Sequence, residues 1–137
     1  MFSHTIQLRV RYAETDQMGY VYYGNYAAYY EVARTEAFRT LGLPYADMEA
    51  AGVMLPVLEF GIRYHRPARY DDLLSLRISL SKLPTASSIR FEVETHNEAG
   101  ELLNTGFTTL VFAAKATGRP VRIPENIRAQ LLPFFDQ

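Results

Sequence analysis

The chain has 137 residues, 48% of them hydrophobic and 21% charged, which is enough for one soluble domain with a core and too few for two ordinary domains. A formal net charge of -1 argues against nucleic acid or an anionic membrane as the main partner, since both favour a strongly basic protein. The absence of cysteine excludes disulfides, cysteine nucleophiles and thiolate metal sites, and it agrees with a reducing cytoplasm, where we expect the protein.

An alternating strand and a glycine-containing loop are predicted at the start of the chain. Residues 5–12 alternate between apolar and polar side chains, which is typical of a strand with one buried face. The apolar side carries Ile6, Leu8 and Val10, and the polar side carries Gln7, Arg9 and Arg11. Residues 13–24 follow as a loop punctuated by Gly19 and Gly24. The first residues lack a basic segment followed by an apolar run, so we expect no signal peptide.

A long helix is predicted over residues 25–41. Asn25 is a suitable N-cap, and Gly42 marks the end of the helix. The face that we expect to be buried carries Tyr26, Tyr30, Ala33, Ala37 and Leu41. Most of the charged or polar side chains lie elsewhere on the helix, among them Glu31, Arg34, Thr35 and Arg39. Because arginines flank Glu31 and Glu36, surface ion pairs are the simpler interpretation of these two acids.

Four further strands and two short helices are predicted in the rest of the chain. The strands cover residues 55–64, 73–83, 88–96 and 102–113, and the helices cover residues 45–51 and 124–135. Alternation places these sets on one face of their strands: Leu58, Phe60, Ile62 and Tyr64; Leu74, Leu76, Ile78 and Leu80; Ile89, Phe91 and Val93; and Phe107, Thr109, Val111 and Ala113.

The order of these elements predicts an α+β fold in a single domain over residues 1–137. In that fold an antiparallel five-stranded sheet is wrapped around one long central helix. Tyrosine is unusually dense next to and within this helix, since six of the ten tyrosines are Tyr20, Tyr22, Tyr23, Tyr26, Tyr29 and Tyr30. Such a surface is hard to bury in a small monomer, so we expect an oligomer.

Asp16 is the residue with the clearest potential for chemistry. It lies in the loop that leads into the predicted helix, and a carboxylate beside free helix N–H groups can attack or hydrate a carbonyl group. The alternative is that Asp16 only caps a turn, and the pattern alone favours neither. Glu14 shares a face with Asp16 if the segment is extended, although a solvated or ion-paired acid is the simpler interpretation. Gly19 permits a positive φ or a close approach of substrate.

Several segments resemble one family. They are residues 12–21 (Tyr-Ala-Glu-Thr-Asp-Gln-Met-Gly-Tyr-Val), Asn25-Tyr26, residues 31–36 (Glu-Val-Ala-Arg-Thr-Glu), residues 55–57 (Leu-Pro-Val) and residues 66–72 (Arg-Pro-Ala-Arg-Tyr-Asp-Asp). Together they resemble the hotdog-fold acyl-CoA thioesterases, in the 4-hydroxybenzoyl-CoA thioesterase and YbgC/FadM-like branch. The resemblance runs from about residue 6 to about residue 112 and implies the hotdog fold.

The resemblance also implies roles for individual residues. Asp16 is the catalytic carboxylate, as nucleophile or as general base for water, in the motif with Gly19. The backbone N–H of Tyr23 polarises the thioester oxygen. No metal and no cofactor are implied. Family members are dimers whose two sheets join, often paired into tetramers, with the active sites at the subunit boundary.

The chain departs from the family pattern in two places. Tyr23 stands where many relatives carry a histidine, and a tyrosine transfers protons less readily near neutral pH. Only Lys82 and Arg90 remain of a basic cluster that holds CoA phosphates in some relatives. Residues expected to bind substrate are Tyr22, Asn25, Arg63, Arg66, Lys82 and Arg90. For the basic run at residues 63–69, ion pairs with Asp71 and Asp72 are a simpler interpretation than phosphate binding and are slightly favoured.

The leading expectation is hydrolysis of an acyl or aroyl thioester to a free acid and CoA. A hydratase of the same fold is less favoured, because no histidine lies near the Asp16 motif in the sequence. A non-catalytic acyl-thioester binder and a thioesterase acting on acyl carrier protein remain open. The three histidines have no metal-ligand spacing, and no serine lies in a nucleophile elbow.

Overall fold

The chain forms seven β-strands and three α-helices over residues 1–135, which are the residues that the structure, a computed structural model, describes. The strands are β1 (Phe2–Arg9), β2 (Val53–Met54), β3 (Val57–Tyr64), β4 (Leu73–Leu80), β5 (Ser88–His96), β6 (Leu102–Val111) and β7 (Ala113–Ala114). The helices are α1 (Asn25–Thr40), α2 (Tyr45–Ala50) and α3 (Glu125–Leu131). Short 3-10 helices cover Tyr12–Glu14 and Leu132–Phe134.

Five strands form one antiparallel sheet in the order β1-β4-β5-β6-β3, which confirms the predicted α+β class and strand number. The small strands β2 and β7 pair separately. Strands β4, β5 and β6 follow one another through short turns, as the sequence predicts. Strand β3 pairs only with β6 among the described residues, so its other side is a free sheet edge.

Helix α1 packs on one face of the sheet and contacts β1 and β4. Its buried residues are Tyr26, Tyr29, Tyr30, Ala33, Arg34, Ala37 and Phe38. The hydroxyl of Tyr30 donates a hydrogen bond to Asn104 Oδ1 at 2.6 Å. A Cβ atom at Gly106 would lie 2.7 Å from the Tyr30 ring, so the lack of a side chain at position 106 allows α1 to lie this close to the sheet.

The described residues contain three helices, of 16, 6 and 7 residues, at the places where one long helix and two short helices were predicted. The predicted surface ion pair of Glu36 is confirmed, since it pairs with Arg39 at 3.4 Å. The one predicted for Glu31 is wrong, because Arg34 is only 7% exposed and no ion pair recorded within residues 1–135 includes either residue. Helix α1 begins at the predicted residue and ends one residue earlier than predicted. No helix within residues 1–135 has the length and apolar character needed to cross a bilayer.

Helix α1 runs along the edge strand β3 in the opposite direction. The rings of Tyr26 and Tyr64 are 5.6 Å apart, and those of Tyr30 and Phe60 are also 5.6 Å apart. Because the later residue of the helix meets the earlier residue of the strand, the two elements are antiparallel. The start of α1 therefore lies at the end of β3, and the middle of α1 lies near the beginning of β3.

Two predicted boundaries at the start of the chain are corrected. The first strand ends at Arg9, and residues 12–14 form a 3-10 turn instead of extended chain. Asn25 is not the N-cap, because Gly24 occupies that position without a side-chain cap. The Asn25 amide instead donates a hydrogen bond to the backbone oxygen of Glu14 at 2.8 Å.

Phe107, Thr109 and Val111 lie on one side of β6, as predicted, whereas Ala113 lies beyond the end of β6, in β7. In β6 the buried residues are Leu103, Asn104, Thr108 and Leu110, while Phe107 and Thr109 point to the face away from α1. Both alternating sets of this strand contain large apolar residues, so alternation could not decide between them. Phe107 lies over Gly61 on that outer face.

Of the predicted apolar set on β3, Phe60 and Tyr64 contact α1, and most of the set is not buried within the described chain. Leu58, Phe60 and Tyr64 are 68%, 38% and 46% exposed, because β3 is an edge strand with no neighbour on one side. On β4 and β5, in contrast, the predicted inward sets are all buried.

Candidate active site

Asp16 is held in a tight loop by its own backbone and side chain. Its N–H donates to the carbonyl of Tyr20 at 2.8 Å, and its carbonyl accepts from Gly19 at 2.9 Å. Carboxylate oxygen Oδ1 accepts from the N–H of Met18 at 2.9 Å and of Tyr20 at 3.3 Å. Gly19 has a φ of 84°, a conformation that side-chain-bearing residues rarely adopt. The turn therefore fixes Oδ1, and Oδ2 accepts no recorded hydrogen bond within residues 1–135.

Glu14 ties this loop to helix α1. Its carboxylate accepts a hydrogen bond from the Tyr29 hydroxyl at 2.9 Å and forms an ion pair with Arg11 at 3.1 Å. Its backbone oxygen accepts from the N–H of Tyr22 and from the Asn25 amide. The ion-paired interpretation of Glu14 is thus confirmed. Burial opposes ionisation of this carboxyl group, but the hydrogen bonds from Arg11 and Tyr29 outweigh it and leave the pKa of Glu14 below its usual value.

The start of α1 presents two free backbone donors. The N–H groups of Asn25 and Tyr26 donate to carbonyls three residues earlier, at 2.9 and 3.2 Å. The N–H groups of Tyr23 and Gly24 have no recorded acceptor within the part of the chain that the structure describes. A Cβ at Gly24 would stand 2.6 Å from the Tyr22 ring, so this ring lies across the helix start because position 24 is glycine.

A cavity of about 290 Å³ opens beside Asp16. Its walls are Asp16, Met18, Tyr20, Val21, Tyr23, Tyr26, Tyr64, His65, Arg66 and Pro67. Most of the lining is aromatic or apolar. Burial raises the pKa of Tyr26 to about 12, so its phenol stays neutral at physiological pH and can act as a hydrogen-bond donor. Of the predicted site residues, the structure brings Asp16, Tyr23 and Arg66 together here.

Sequence reasoning considered the basic run at residues 63–69 for CoA phosphates or ion pairs, and it did not place the end of β3 and His65 beside Asp16. Tyr64 and His65 line the Asp16 cavity although they lie about 50 positions away along the chain. The N–H of Val21 donates to the carbonyl of Ala68 at 2.8 Å, which joins the two segments. No histidine lies near the Asp16 motif in the sequence, but His65 lies near Asp16 in the structure, at the cavity wall. The argument against a hydratase from the lack of a nearby histidine is therefore wrong. No local signal placed His65 beside Asp16, since the contact depends on how β3 pairs with β6.

The basic run after β3 has partners other than those expected. Arg66 forms an ion pair with Glu101 at 3.1 Å, and Asp71 pairs with Arg9 at 3.8 Å. Arg69 lies over the ring of Tyr20, with its guanidinium carbon 5.3 Å from the ring centroid. The prediction of ion pairs between this run and Asp71 or Asp72 is thus wrong, because Arg66 pairs with Glu101 and Asp71 pairs with Arg9.

The remaining predicted binding residues lie elsewhere. Lys82 and Arg90 line a second cavity of about 460 Å³, and Arg63 and Arg90 line a third of about 360 Å³. Arg90 also stacks on Phe107, 3.9 Å from the ring centroid, on the sheet face away from α1. Tyr22 is exposed beside Tyr23, with ring centroids 4.8 Å apart. These residues share no wall with Asp16.

Comparisons with known proteins agree on one family. A family model described as the Thioesterase-like superfamily matches residues 10–131. YneP of Bacillus subtilis is 34% identical over 116 residues, covering 85% of this chain and 83% of YneP. The acyl-CoA thioester hydrolase YbgC of Escherichia coli O6:H1 is 31% identical over 123 residues, covering 90% of this chain and 91% of YbgC. A solved DHNA-CoA thioesterase from Staphylococcus aureus matches with a TM-score of 0.92 and 32% identity, covering 98% of this chain and 91% of that chain.

Proposed function

The chain belongs to the thioesterase-like superfamily and has its hotdog fold, and from this membership we propose that it hydrolyses an acyl-CoA thioester to a free carboxylic acid and CoA. The observation that carries the proposal is the cavity in which the Asp16 carboxylate and the start of α1 meet. A thioester is already electrophilic and its thiolate leaves readily, so one oriented carboxylate and one or two N–H donors are sufficient machinery.

Asp16 supplies the carboxylate in this proposal. As general base, it takes a proton from water while the water oxygen attacks the acyl carbon, and the tetrahedral intermediate then expels the CoA thiolate, which takes up the proton. As nucleophile, its oxygen attacks the acyl carbon, the C–S bond breaks and CoA leaves as the thiolate, which gives an acyl anhydride on Asp16. Water then hydrolyses the anhydride, which releases the acid, regenerates the Asp16 carboxylate and supplies the proton that the thiolate takes up. Oδ2 suits either role, since the Met18 and Tyr20 N–H groups hold Oδ1 and so fix the orientation of the group.

The free N–H groups of Tyr23 and Gly24 supply the electrostatic partner. The positive end of α1 points in the same direction, and both favour the negative charge that develops on the thioester oxygen. Removing one such donor typically costs about a hundredfold or more in kcat. The Tyr23 phenol replaces the histidine of many relatives, and in this proposal it orients the substrate by a hydrogen bond and transfers no proton.

Arg66 is the cation that the proposal assigns to the CoA moiety at this cavity. Its side chain is 63% exposed and its pairing with Glu101 is solvent-accessible, so a phosphate group can compete for it. Arg63, Lys82 and Arg90 lie in separate cavities and are assigned no contact with the reacting carbonyl of the same copy.

We further propose that the free edge of β3 pairs with β3 of a second copy. Opposite residues of an antiparallel pair share a face, and Glu59, Gly61 and Arg63 all lie on the face away from α1. A twofold axis at Gly61 places Glu59 of each copy opposite Arg63 of the other and buries the exposed apolar side of β3. Charge complementarity therefore favours this register over axes at neighbouring residues.

A thiol-release assay tests the activity. The protein has no cysteine, so a thiol reagent reports only CoA released from a panel of short, medium, long and aromatic acyl-CoAs. Asp16→Asn keeps the size of the side chain and one hydrogen-bond acceptor, and we expect it to lower kcat by roughly a hundredfold to ten-thousandfold. Glu36→Gln on the surface of α1 is the matched control and keeps wild-type turnover.

Three outcomes would redirect the proposal. Undiminished turnover by Asp16→Asn refutes the role of this carboxylate. Release of thiol only from acyl carrier protein thioesters would show that the substrate's thiol carrier is acyl carrier protein and not CoA. Micromolar binding of a CoA thioester without any release leaves a non-catalytic binder.

A further inference from the structure

His65 lies on the wall of the Asp16 cavity, and the proposed mechanism assigns it no part. Its side chain is exposed and belongs to none of the ion pairs recorded within residues 1–135. The other two histidines, His4 and His96, lie in β1 and β5 and do not line this cavity. A histidine that shares a cavity with a reactive carboxylate is a candidate for proton transfer.

Two backbone hydrogen bonds fix the segment that carries His65. The N–H groups of His65 and Arg66 both donate to the carbonyl of Leu103, at 2.8 and 3.0 Å. Two residues of one segment then oppose one residue of its neighbour, which is a β-bulge. A bulge interrupts the alternation of side chains, and Tyr64, His65 and Arg66 all line the Asp16 cavity. The backbone pairing with β6 therefore sets where the histidine lies.

His65 is the side chain of this lining that can both release and regain a proton near neutral pH. An arginine keeps its proton, and a phenol releases its own only in alkaline solution. Burial raises the pKa of Tyr26 to about 12 and raises the pKa of Tyr64 above its usual value, so both are weaker acids still. The other titratable residues of the lining are Asp16, Tyr20, Tyr23, Tyr26, Tyr64 and Arg66.

The cations near His65 already have partners. Arg66 forms an ion pair with Glu101 at 3.1 Å, and the guanidinium group of Arg69 lies over the ring of Tyr20. Asp16 is the acid that lines the cavity, so it is the group with which His65 can exchange protons.

The position of His65 suits the leaving sulfur. In the proposed function Asp16 acts at the acyl carbon and Arg66 binds the CoA moiety. The sulfur joins these two parts of the substrate, and His65 is the neighbour of Arg66 in the chain. Most of the lining is aromatic or apolar, so a thiolate formed there loses solvation and its affinity for a proton rises. A proton donor on this side of the cavity offsets that cost.

We propose that the imidazolium of His65 donates a proton to the sulfur as the C–S bond breaks. The electron pair of that bond stays on sulfur, which leaves as the neutral thiol of CoA, while the oxyanion of the tetrahedral intermediate re-forms the carbonyl of the free acid. The neutral imidazole then takes the proton that Asp16 drew from water, which returns both groups to their starting states. This inference rests on the proposed thioesterase function, with Asp16 as general base, and deepens it by assigning a second catalytic residue.

Leaving groups of different basicity test this step. Two thioesters share the acyl group preferred in the CoA panel, one on CoA and one on 4-nitrothiophenol, whose thiolate leaves without a proton near neutral pH. His65→Gln keeps a polar side chain but cannot supply a proton, so we expect its kcat on the CoA thioester to fall about a hundredfold. On the nitrothiophenyl thioester we expect a change of less than about threefold, whereas Asp16→Asn lowers kcat on both. His4→Gln in β1, at the opposite edge of the sheet from β3, is the matched control and changes neither.

The pH profile on the CoA thioester is a second readout. Wild-type kcat should rise as Asp16 ionises and fall again on the alkaline side as His65 loses its proton. His65→Gln should keep the acid limb and lose the alkaline fall, with KM within about twofold of the wild-type value. Added imidazole should restore part of the kcat of His65→Ala, because free imidazolium can occupy the vacated space and donate the proton.

Equal losses by His65→Gln on the two thioesters overturn the inference, since a structural or binding role affects both leaving groups alike. An unchanged alkaline limb in His65→Gln, or full activity of this variant, overturns it as well. The proposed function survives each of these results if the wild type releases thiol and Asp16→Asn does not. Wild-type protein that releases no thiol from any thioester refutes the proposed function itself, and the inference falls with it.

Discussion

Glu14 supports the Asp16 loop without lining the Asp16 cavity. It fastens the loop to α1 through Tyr29 and to the preceding turn through Arg11. The pKa of its carboxyl is lowered on folding, so the stability it contributes is present above the ordinary carboxyl pKa and is lost as pH falls through the lower, folded value. Glu14 therefore couples the position of the Asp16 loop to pH on the acid side.

We expect Glu14→Gln to cost about 1 kcal/mol of unfolding free energy at neutral pH, since it removes the ionised acceptor of a half-buried network. Because the variant has no carboxyl to protonate, its stability should fall less than that of the wild type as pH drops below about 4.5. Urea titrations at three pH values measure both effects. Equal pH dependence in the two proteins would contradict this role, and Glu36→Gln serves as the exposed control.

The residues of the site differ in how well their place in it can be predicted from the sequence. Asp16 and Tyr23 lie in one contiguous motif, and the structure places both at one cavity. Tyr64 and His65 reach it only because β3 pairs with β6, and no local pattern encodes that pairing. Outside the site, Arg34 reads as a surface residue of a charged helix, and its burial depends on α2, which folds over it.

At the scale of elements, β3 shows where alternation stops being informative. Its apolar set was predicted correctly as one face, but burial requires a neighbour on both sides, and alternation says nothing about a strand's place in the sheet. The helix boundaries and the inward faces of β4 and β5 were predictable because short-range spacing alone decides them.

The register proposed for the β3 edge predicts a charge-swap result. Glu59→Arg places arginine opposite Arg63 twice in each dimer, and we expect the dissociation constant to rise about tenfold or more. Glu59→Arg combined with Arg63→Glu restores opposite charges and should recover most of the affinity. Sedimentation at several concentrations measures both variants. A double variant as weak as the single one would exclude the axis at Gly61.

At the scale of the whole molecule, the proposed β3 edge dimer places the two Asp16 sites at one subunit boundary. Activity on an acyl-CoA should therefore follow the fraction of dimer, and specific activity should fall on dilution through the dimer dissociation constant. Mass photometry and thiol release on the same samples measure the two quantities. An excess of the Asp16→Asn variant should rescue the dilute enzyme, because it supplies a second β3 edge next to the intact Asp16 cavity. Full activity in samples that are entirely monomeric would contradict the arrangement.

Gly106 does not line the Asp16 cavity, yet the cavity depends on it. A Cβ there would stand 2.6 Å from the Gly61 carbonyl oxygen and 2.7 Å from the Tyr30 ring, so any larger residue would push the middle of α1 away from the sheet. A stiff helix moves as a unit when its centre is lifted, so the start of α1, with Tyr26 on the wall of the Asp16 cavity, would move as well. Substitutions on the cavity walls can change substrate preference while α1 stays in place. A larger residue at position 106 would move α1 itself, so the size of the site is harder to change in evolution than the chemistry of its walls.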